Sequence, residues 1–283
     1  MSDRMNVLVQ RLLPKLLLTQ IAGRLANWQA GGLTRWAIER FVSRYGVNMD
    51  EADQPDVASY RTFNEFFTRA LKPGARPLAQ ADLISPVDGS ISQFGPISGE
   101  QIFQAKGHSY STRALVGGDA ALAQAFEDGH FATLYLSPRD YHRIHMPCTA
   151  VLERMMHVPG DLYSVNPATA RTVPGLFARN ERVVCVFSSD GRPWVLVLVG
   201  ATIVGSMATA WHGVIERSGP DPRLWNYRDR ALTLQKGQEM GRFLLGSTVV
   251  LLFPRGPLRF NPSWQPGGSI RMGEPMANWS PGI

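Results

Sequence analysis

Residues 245–253 read Leu-Gly-Ser-Thr-Val-Val-Leu-Leu-Phe and carry two signals, one for the fold and one for chemistry. Residues 249–253 form a continuous apolar run, which predicts a short strand buried on both faces. The pair Gly246-Ser247 stands just before this run, and glycine adopts backbone geometries that press the Ser247 hydroxyl against the carbonyl carbon of Gly246. A Gly-Ser pair before a strand is also typical of a plain turn, so this stretch alone leaves both interpretations open.

The chemical interpretation has a defined outcome. Attack by the Ser247 hydroxyl converts the Gly246 amide into an ester, in which the serine oxygen is a leaving group. Loss of the α-proton of Ser247 then eliminates that oxygen, cuts the chain and leaves a dehydroalanine, which hydrolyses to a pyruvoyl group. This group is an electrophilic ketone that condenses with an amine and accepts electrons during decarboxylation, as pyridoxal phosphate does. A strand at 249–253 would keep the C-terminal piece in the sheet after the cut.

Further segments accompany this stretch and cover nearly the whole chain. They are TFNEFFTR at 62–69, SPVDGS at 85–90, LSPRDYHRIHMP at 136–147, VGSM at 204–207 and KGQEMGRF at 236–243. Several motifs in a fixed order are far more specific than the Gly-Ser pair alone. In this order they closely resemble the phosphatidylserine decarboxylase proenzymes of bacteria.

The resemblance implies an activity and a processing event. The activity is decarboxylation of phosphatidylserine to phosphatidylethanolamine in phospholipid synthesis, by a pyruvoyl group derived from Ser247 and with no external cofactor. The processing event, which comes before any decarboxylation, cuts the precursor between Gly246 and Ser247. It gives a long chain, 1–246, and a short chain, 247–283, which stay together as one catalytic unit. A homodimer is the oligomeric state that the resemblance implies.

The resemblance also assigns catalytic roles. A serine is a poor nucleophile until a base such as histidine, itself oriented by a carboxylate, removes its proton. By resemblance, Asp88 and His145 act with Ser247 in the cut, and His142 protonates the carbanion formed by decarboxylation. Read singly, the Asp-Gly pair at 88 also fits a hairpin turn, and His145 fits a strand-end histidine bound to a carbonyl. Asp140 fits a role in orienting His142 and a capping role equally well.

Ligand-binding residues are less clear from the sequence. The composition of residues 159–167 is compatible with a loop that binds the lipid head group, with Tyr163 and Ser164 as candidate contacts. It is equally compatible with a structural loop rich in glycine and proline. His142 and His145 are three residues apart and could share a metal ion, but the sequence offers no obvious third ligand. We therefore expect no metal site.

Composition and pattern together predict an α+β protein. With 283 residues and 44% hydrophobic content, the chain can bury a large core. The two cysteines, Cys148 and Cys185, fit buried free thiols in a reducing compartment. We expect N-terminal amphipathic helices in residues 1–55 and a β-rich, barrel-sandwich-like catalytic core in 56–283. The predicted elements of that core are a helix at 63–70 and strands at 150–158, 183–187, 194–200 and 249–253.

The positive charge of the chain lies at its N-terminus. Residues 1–47 carry seven basic and two acidic side chains, which is +5 of the formal net charge of +6. Apolar residues recur there at helical spacing on both sides of Pro14, which predicts two or three short helices, and no apolar run is long enough to span a bilayer. We expect peripheral binding to anionic phospholipid on the cytoplasmic face of the cell membrane, although these helices could also pack on the protein's own core. Nucleic acid is not an expected partner, because the charge is confined to an apolar segment without a binding motif.

Three other functions remain open on the residues alone. A serine hydrolase could use Ser247, His145 and Asp88, but Ser247 lacks the Gly-x-Ser-x-Gly setting of an esterase. A membrane-surface adaptor without enzymatic activity leaves the motifs unexplained. A pyruvoyl decarboxylase of a soluble amino acid has no use for the amphipathic segment.

Overall fold

The computed structural model describes residues 15–105, 107–202, 207–217, 219–244 and 247–279, with residues 15, 16 and 247 described by their backbone alone. Three helices come first: α1 (Lys15–Ala26), α2 (Gly32–Tyr45) and α3 (Phe63–Phe67). They confirm the predicted helices, except that α3 ends three residues early and that the predicted helical part before residue 15 lies outside the described residues. None of the described helices is long and apolar enough to cross a membrane.

Helices α2 and α3 pack against each other through apolar side chains. Thr62 starts α3 by accepting a hydrogen bond from Glu65 N at 3.0 Å, and Gly46 ends α2 in the left-handed conformation with φ of 65°. Ile38, Phe66 and Phe67 are buried in the cluster between these helices. One face of α2 therefore packs on the protein itself, as one of the two sequence interpretations predicts.

A nine-stranded antiparallel sheet forms the centre of the molecule. Its order is β12 (Arg223–Asn226), β7 (Ala150–Val158), β8 (Arg182–Ser189), β9 (Arg192–Val199), β15 (Ser247–Phe253), β5 (His130–Leu136), β2 (Gly89–Pro96) and β17 (Ser269–Ile270), with β13 (Thr233–Leu234) also paired to β7. The four predicted strands are confirmed as β7, β8, β9 and β15. Continuous apolar runs with many valines suit strands that are covered on both faces.

Two layers cover the faces of this sheet. One layer consists of four short helices, α4 (Thr112–Leu115), α5 (Ala120–Gln124), α6 (Pro167–Ala170) and α7 (Leu176–Arg179). The other contains two smaller sheets, one of β11 (Gly213–Ile215), β10 (Met207–Thr209), β14 (Glu239–Phe243) and β6 (Arg143–His145), the other of β1 (Leu83–Ile84), β18 (Pro275–Trp279) and β16 (Leu258–Phe260). The remaining elements are the hairpin of β3 (Gln101–Ala105) and β4 (His108–Ser111) and two short turns of 3-10 helix, Val57–Ser59 and Arg228–Arg230.

Strand β15 contributes to both cores. Val249, Leu251 and Phe253 pack on the side of the smaller sheets, whereas Val250 and Leu252 pack on the side of the short helices. All five side chains are at most 1% exposed. The predicted class, a strand-rich mixture of helix and sheet behind N-terminal helices, is confirmed. Among the described residues the sheet is open, and the barrel-sandwich form of the core stays a prediction.

Candidate active site

The predicted cut lies at the start of the central strand. The backbone of residue 247 pairs with Leu136 at the end of β5, and Gly246 lies outside the described residues. On the other edge of β5, a Cβ added to Gly89 would lie 2.3 Å from the carbonyl oxygen of Tyr135, so only glycine fits there. Neighbouring strands are about 4.8 Å apart, which places the backbones of residues 89 and 247 roughly 10 Å apart on opposite sides of β5.

Asp88 is part of a buried ion-pair network. Its carboxylate accepts hydrogen bonds from Arg76 Nε at 2.9 Å, Arg76 Nη2 at 2.5 Å and Met272 N at 2.8 Å. Arg76 also donates to Glu51 at 2.7 Å. Burial alone would lower the pKa of Arg76, but the bonds to both carboxylates raise it above its usual value. The residues around Asp88 form no hairpin, because β1 pairs with β18 and β2 pairs with β5 and β17.

Two hydrogen bonds define the state of the His145 ring. Nδ1 lies 2.8 Å from the carbonyl oxygen of Gly237, and Nε2 lies 3.0 Å from the hydroxyl of Tyr141. Because a carbonyl oxygen only accepts, Nδ1 carries the proton and Nε2 accepts from the phenol. Burial lowers the pKa of His145 and raises the pKa of Tyr141 to about 12, so both groups are neutral near pH 7.

The segments of Asp88 and His145 meet through their backbones. His145 N donates to the carbonyl oxygen of Pro86 at 2.8 Å, two residues before Asp88. Their side chains have different partners, Arg76 and Met272 N for Asp88 and Tyr141 and Gly237 for His145.

His142 is fully buried beside the segment that leads to the cut. Its Nδ1 donates to the carbonyl oxygen of Asp140 at 2.8 Å, its Nε2 has no hydrogen-bond partner among the described residues, and its ring centroid lies 4.1 Å from that of Phe67. Its carbonyl oxygen accepts from Phe243 N at 3.1 Å. Burial lowers the pKa of His142 to about 3, so the ring is neutral and Nε2 holds a lone pair.

Asp140 combines parts of both predicted roles. Its backbone carbonyl, rather than its carboxylate, orients His142. The carboxylate accepts from Ser137 N at 2.7 Å and so closes the turn after β5. In the described part of the chain, no group of three or more His, Cys, Asp or Glu side chains is placed to hold a metal ion.

The two candidate residues of the predicted head-group loop have different surroundings. The Tyr163 side chain packs in the core on the short-helix side of the sheet and is 6% exposed. Its backbone N–H and carbonyl are both bound by the Asn180 side chain, at 3.1 and 2.8 Å. Ser164 instead lines a cavity. The structure therefore places only Ser164 of this pair at a cavity wall.

Two cavities lie side by side next to the start of β15. One is polar, has a volume of about 460 Å³, and is lined by Asp88, Tyr141 and four arginines among others. The second is apolar, has a volume of about 520 Å³, and lies between the N-terminal helices and the end of β5. Their walls meet at two places: Tyr45 faces the apolar cavity and Gly46 the polar one, and residues 136–139 alternate between them.

Three residues of this site are missing from the sequence interpretation. Arg76 and Glu51 are 12 and 37 residues from Asp88, and no local pattern links them to it. Tyr141 lies inside the motif at 136–147, four residues before His145. A phenol so close in sequence to the catalytic histidine is the signal that could have identified it as a hydrogen-bond partner.

Comparison with known proteins places these features in a family. A family model described as Phosphatidylserine decarboxylase matches residues 63–278, and a second, described as PSD, matches residues 5–46. A protein of Albidiferax ferrireducens, named phosphatidylserine decarboxylase proenzyme, is 67% identical over 282 residues, which cover 99% of each chain. Proteins with the same name from Polaromonas sp. strain JS666 and Variovorax paradoxus are 67% identical over 284 and 279 residues, covering 99% and 98% of this chain and 100% and 99% of the relatives.

Proposed function

This chain belongs to the phosphatidylserine decarboxylase family, and we propose that it converts phosphatidylserine to phosphatidylethanolamine and CO2 with a pyruvoyl group made from its own Ser247. The observation that carries the proposal is the position of residue 247. It opens the central strand beside the end of β5, where the segments of Asp88, His142 and His145 converge.

The first step is self-cleavage. His145 Nε2 takes the proton of the Ser247 hydroxyl while the oxygen bonds to the Gly246 carbonyl carbon, and it returns that proton to the Ser247 nitrogen as the amide bond breaks. Loss of the α-proton of Ser247 then expels the Gly246 carboxylate, and water replaces the nitrogen of the resulting enamine, which leaves as ammonia. The Nδ1–H bond to Gly237 supports this role because it keeps the lone pair on Nε2. Tyr141 must release Nε2 before that atom accepts a proton.

The residues around the cut fit a pyruvoyl group. Such a ketone supplies an electron sink for the carbon that loses CO2. His142 Nε2, a buried acceptor without a described partner, takes a proton from the substrate ammonium and returns it to that carbon after CO2 has left. The anionic head group favours this protonation, because negative charge nearby raises the pKa of an imidazole.

The short chain stays bound after the cut. Strand β15 pairs with β5 and β9, β17 pairs with β2, and β18 pairs with β1, so residues 247–279 contact four strands of the long chain. Burial of the five side chains at 249–253 contributes on the order of 10 kcal/mol. The two chains, 1–246 and 247–283, therefore act as one unit.

The N-terminal helices bind the membrane surface. Seven of the eleven large apolar side chains that are exposed in the described part of the chain lie in or beside α1 and α2, including Trp28 at 56% and Trp36 at 60%. Basic side chains from Arg24 to Arg44 accompany them, and each contributes about 1 kcal/mol near an anionic leaflet. This face suits the cytoplasmic side of the cell membrane, on which the protein acts as a peripheral enzyme and, as the resemblance implies, a homodimer.

Release of CO2 tests the proposed function. We expect the wild-type protein to release labelled CO2 from carboxyl-labelled phosphatidylserine in vesicles, and Ser247→Ala to release none because it cannot form the ketone. Ser109→Ala, which changes an exposed serine on β4, is the matched control and keeps full activity. CO2 release by Ser247→Ala would refute the pyruvoyl route, whereas labelling of uncut wild-type protein by a fluorophosphonate probe would favour a serine hydrolase.

A further inference from the structure

Arg69 is a buried cation that forms no ion pair with a carboxylate in the part of the chain that the structure describes. The residue is 5% exposed, its Nη2 donates to the carbonyl oxygen of Arg139 at 3.3 Å, and its Cζ lies 5.4 Å from the centre of the Phe66 ring. Among the described residues, its Nε has no hydrogen-bond partner. The carboxylates of Asp88 and Asp140, which lie nearby, pair with Arg76 and Arg139 instead. Burial lowers the pKa of Arg69, so nearby carboxylates do not replace the hydration it has lost.

The other arginines of the polar cavity all have carboxylate partners. Arg76 binds Asp88 and Glu51, at 2.5 and 2.7 Å. Arg271 lies 3.3 Å from Glu51, and Arg139 lies 3.8 Å from Asp140. Among the described arginines that line the polar cavity, Arg69 is therefore the one that is available to bind an anion from outside the protein.

The neighbouring apolar cavity restricts the kind of anion. The two cavities meet along Tyr45-Gly46 and residues 136–139, so a molecule that occupies both needs an anionic polar end and an apolar end. Ser137 lines the polar cavity and follows Leu136, whose backbone pairs with residue 247. In a serine head group, two carbon atoms separate the amine from the phosphodiester oxygen. An amine at residue 247 therefore leaves the phosphodiester near this cavity.

We propose that Arg69 binds the phosphodiester of phosphatidylserine, an inference that rests on the proposed function. The substrate carboxylate is the less suitable anion because it loses its charge as CO2 leaves, so a cation paired with it would stabilise the ground state and slow the reaction. The phosphodiester keeps its charge throughout. Its contact with Arg69 stabilises bound substrate and transition state equally, and this appears in KM rather than in kcat.

Steady-state kinetics of the self-cleaved, full-length enzyme test the inference. For Arg69→Met we expect KM for phosphatidylserine in mixed micelles to rise about 10- to 100-fold, the effect of losing a charge-assisted hydrogen bond, with kcat within about three-fold. Inhibition by glycerophosphoethanolamine, which has the phosphodiester and no carboxylate, weakens by the same factor, while inhibition by free serine is unchanged. Arg61→Met is the matched control, because Arg61 flanks the same helix and is exposed.

Other outcomes would overturn the inference. A fall in kcat at unchanged KM, or a loss of serine inhibition, overturns the assignment of Arg69 to the phosphodiester. If Arg69→Met does not self-cleave, its affinity for glycerophosphoethanolamine is measured by calorimetry in the Ser247→Ala background. Arg69→Met should then show the same loss of affinity and Arg69→Lys a smaller one, whereas equal affinities overturn the inference. A wild-type protein that releases no CO2 refutes the proposed function instead, so the two failures are distinguishable.

Discussion

The hydrogen bond between Tyr141 and His145 gives a quantitative test of the self-cleavage step. The phenol donates to Nε2 at 3.0 Å while His145 is neutral, and its oxygen accepts from Nε2–H once His145 is protonated. Tyr141→Phe removes both bonds and leaves the ring of residue 141 in place. The protonated form of His145 loses more stability than the neutral form, because a hydrogen bond from a charged donor is the stronger one, so the pKa of His145 falls.

The expected shift follows from the difference in strength between two hydrogen bonds. The bond to neutral His145 contributes about 0.5–1.5 kcal/mol and the bond from protonated His145 about 1.5–3 kcal/mol, and one pKa unit corresponds to about 1.4 kcal/mol. The pKa of His145 therefore falls by about 1 unit in Tyr141→Phe. Self-cleavage needs neutral His145, so the acid limb of its rate–pH profile moves to lower pH by that amount. On the plateau above this limb the rate does not fall, because the phenol no longer occupies Nε2.

Cell-free synthesis of the precursor at a series of pH values measures this profile, with the uncut chain and the 1–246 fragment separated on a denaturing gel. Tyr227→Phe is the matched control, because the Tyr227 hydroxyl lies 3.3 Å from Nδ1 of another histidine, His212. It should leave the profile unchanged. An acid limb of Tyr141→Phe that stays in place or moves to higher pH would refute the assignment of His145 as the base capped by Tyr141.

Three further predictions concern other parts of the molecule. His142→Ala should self-cleave at the wild-type rate and lose most CO2 release, and an uncut His142→Ala chain would contradict the separate roles of the histidines. Arg76→Met should lower the free energy of unfolding in urea by about 3–5 kcal/mol, because it leaves the Asp88 carboxylate buried without its partner; adding Asp88→Asn should recover part of this loss. Trp36→Ser should reduce co-sedimentation with anionic vesicles several-fold. Leu224→Ser, which changes a side chain of similar exposure at the far edge of the sheet, should not reduce it. Equal binding by both variants would contradict membrane binding through the N-terminal helices.

The strands were predictable because their signal is local. Strand β7 has the predicted bounds, and β15 begins at residue 247 rather than 249 because the backbones of residues 247 and 248 continue the ladder with β5. Strand β8 extends past the predicted 183–187, since the polar residues Ser188 and Ser189 pair with the start of β9. Hydrophobic pattern marks the buried part of a strand and leaves its polar ends undefined.

The contacts within the site depend on residues that are distant in sequence. Asp88 binds Arg76 and the backbone of Met272, which is 184 residues away, and neither residue type marks such a contact. Burial of His142 depends on Phe67, a helix residue whose sequence context indicates only packing. The motifs located the catalytic candidates, whereas their protonation states and partners required the three-dimensional structure.

Tyr163 illustrates the limit of loop composition. The Gly- and Pro-containing segment at 159–167 is compatible with ligand binding and with structural packing, and composition does not distinguish them. In the fold, Asn180 binds the backbone of Tyr163 on both sides and holds its ring in the core. Of the predicted pair Tyr163 and Ser164, Ser164 is the one that lines the apolar cavity, so we expect its substitution, rather than that of Tyr163, to change substrate affinity without unfolding the protein.

The mass of the purified wild-type protein under denaturing conditions tests the central claim most directly. We predict two species, residues 1–246 and residues 247–283, with the N-terminus of the smaller one blocked to Edman degradation by a pyruvoyl group. A single species with the mass of all 283 residues, from protein that nonetheless releases CO2 from phosphatidylserine, would contradict it.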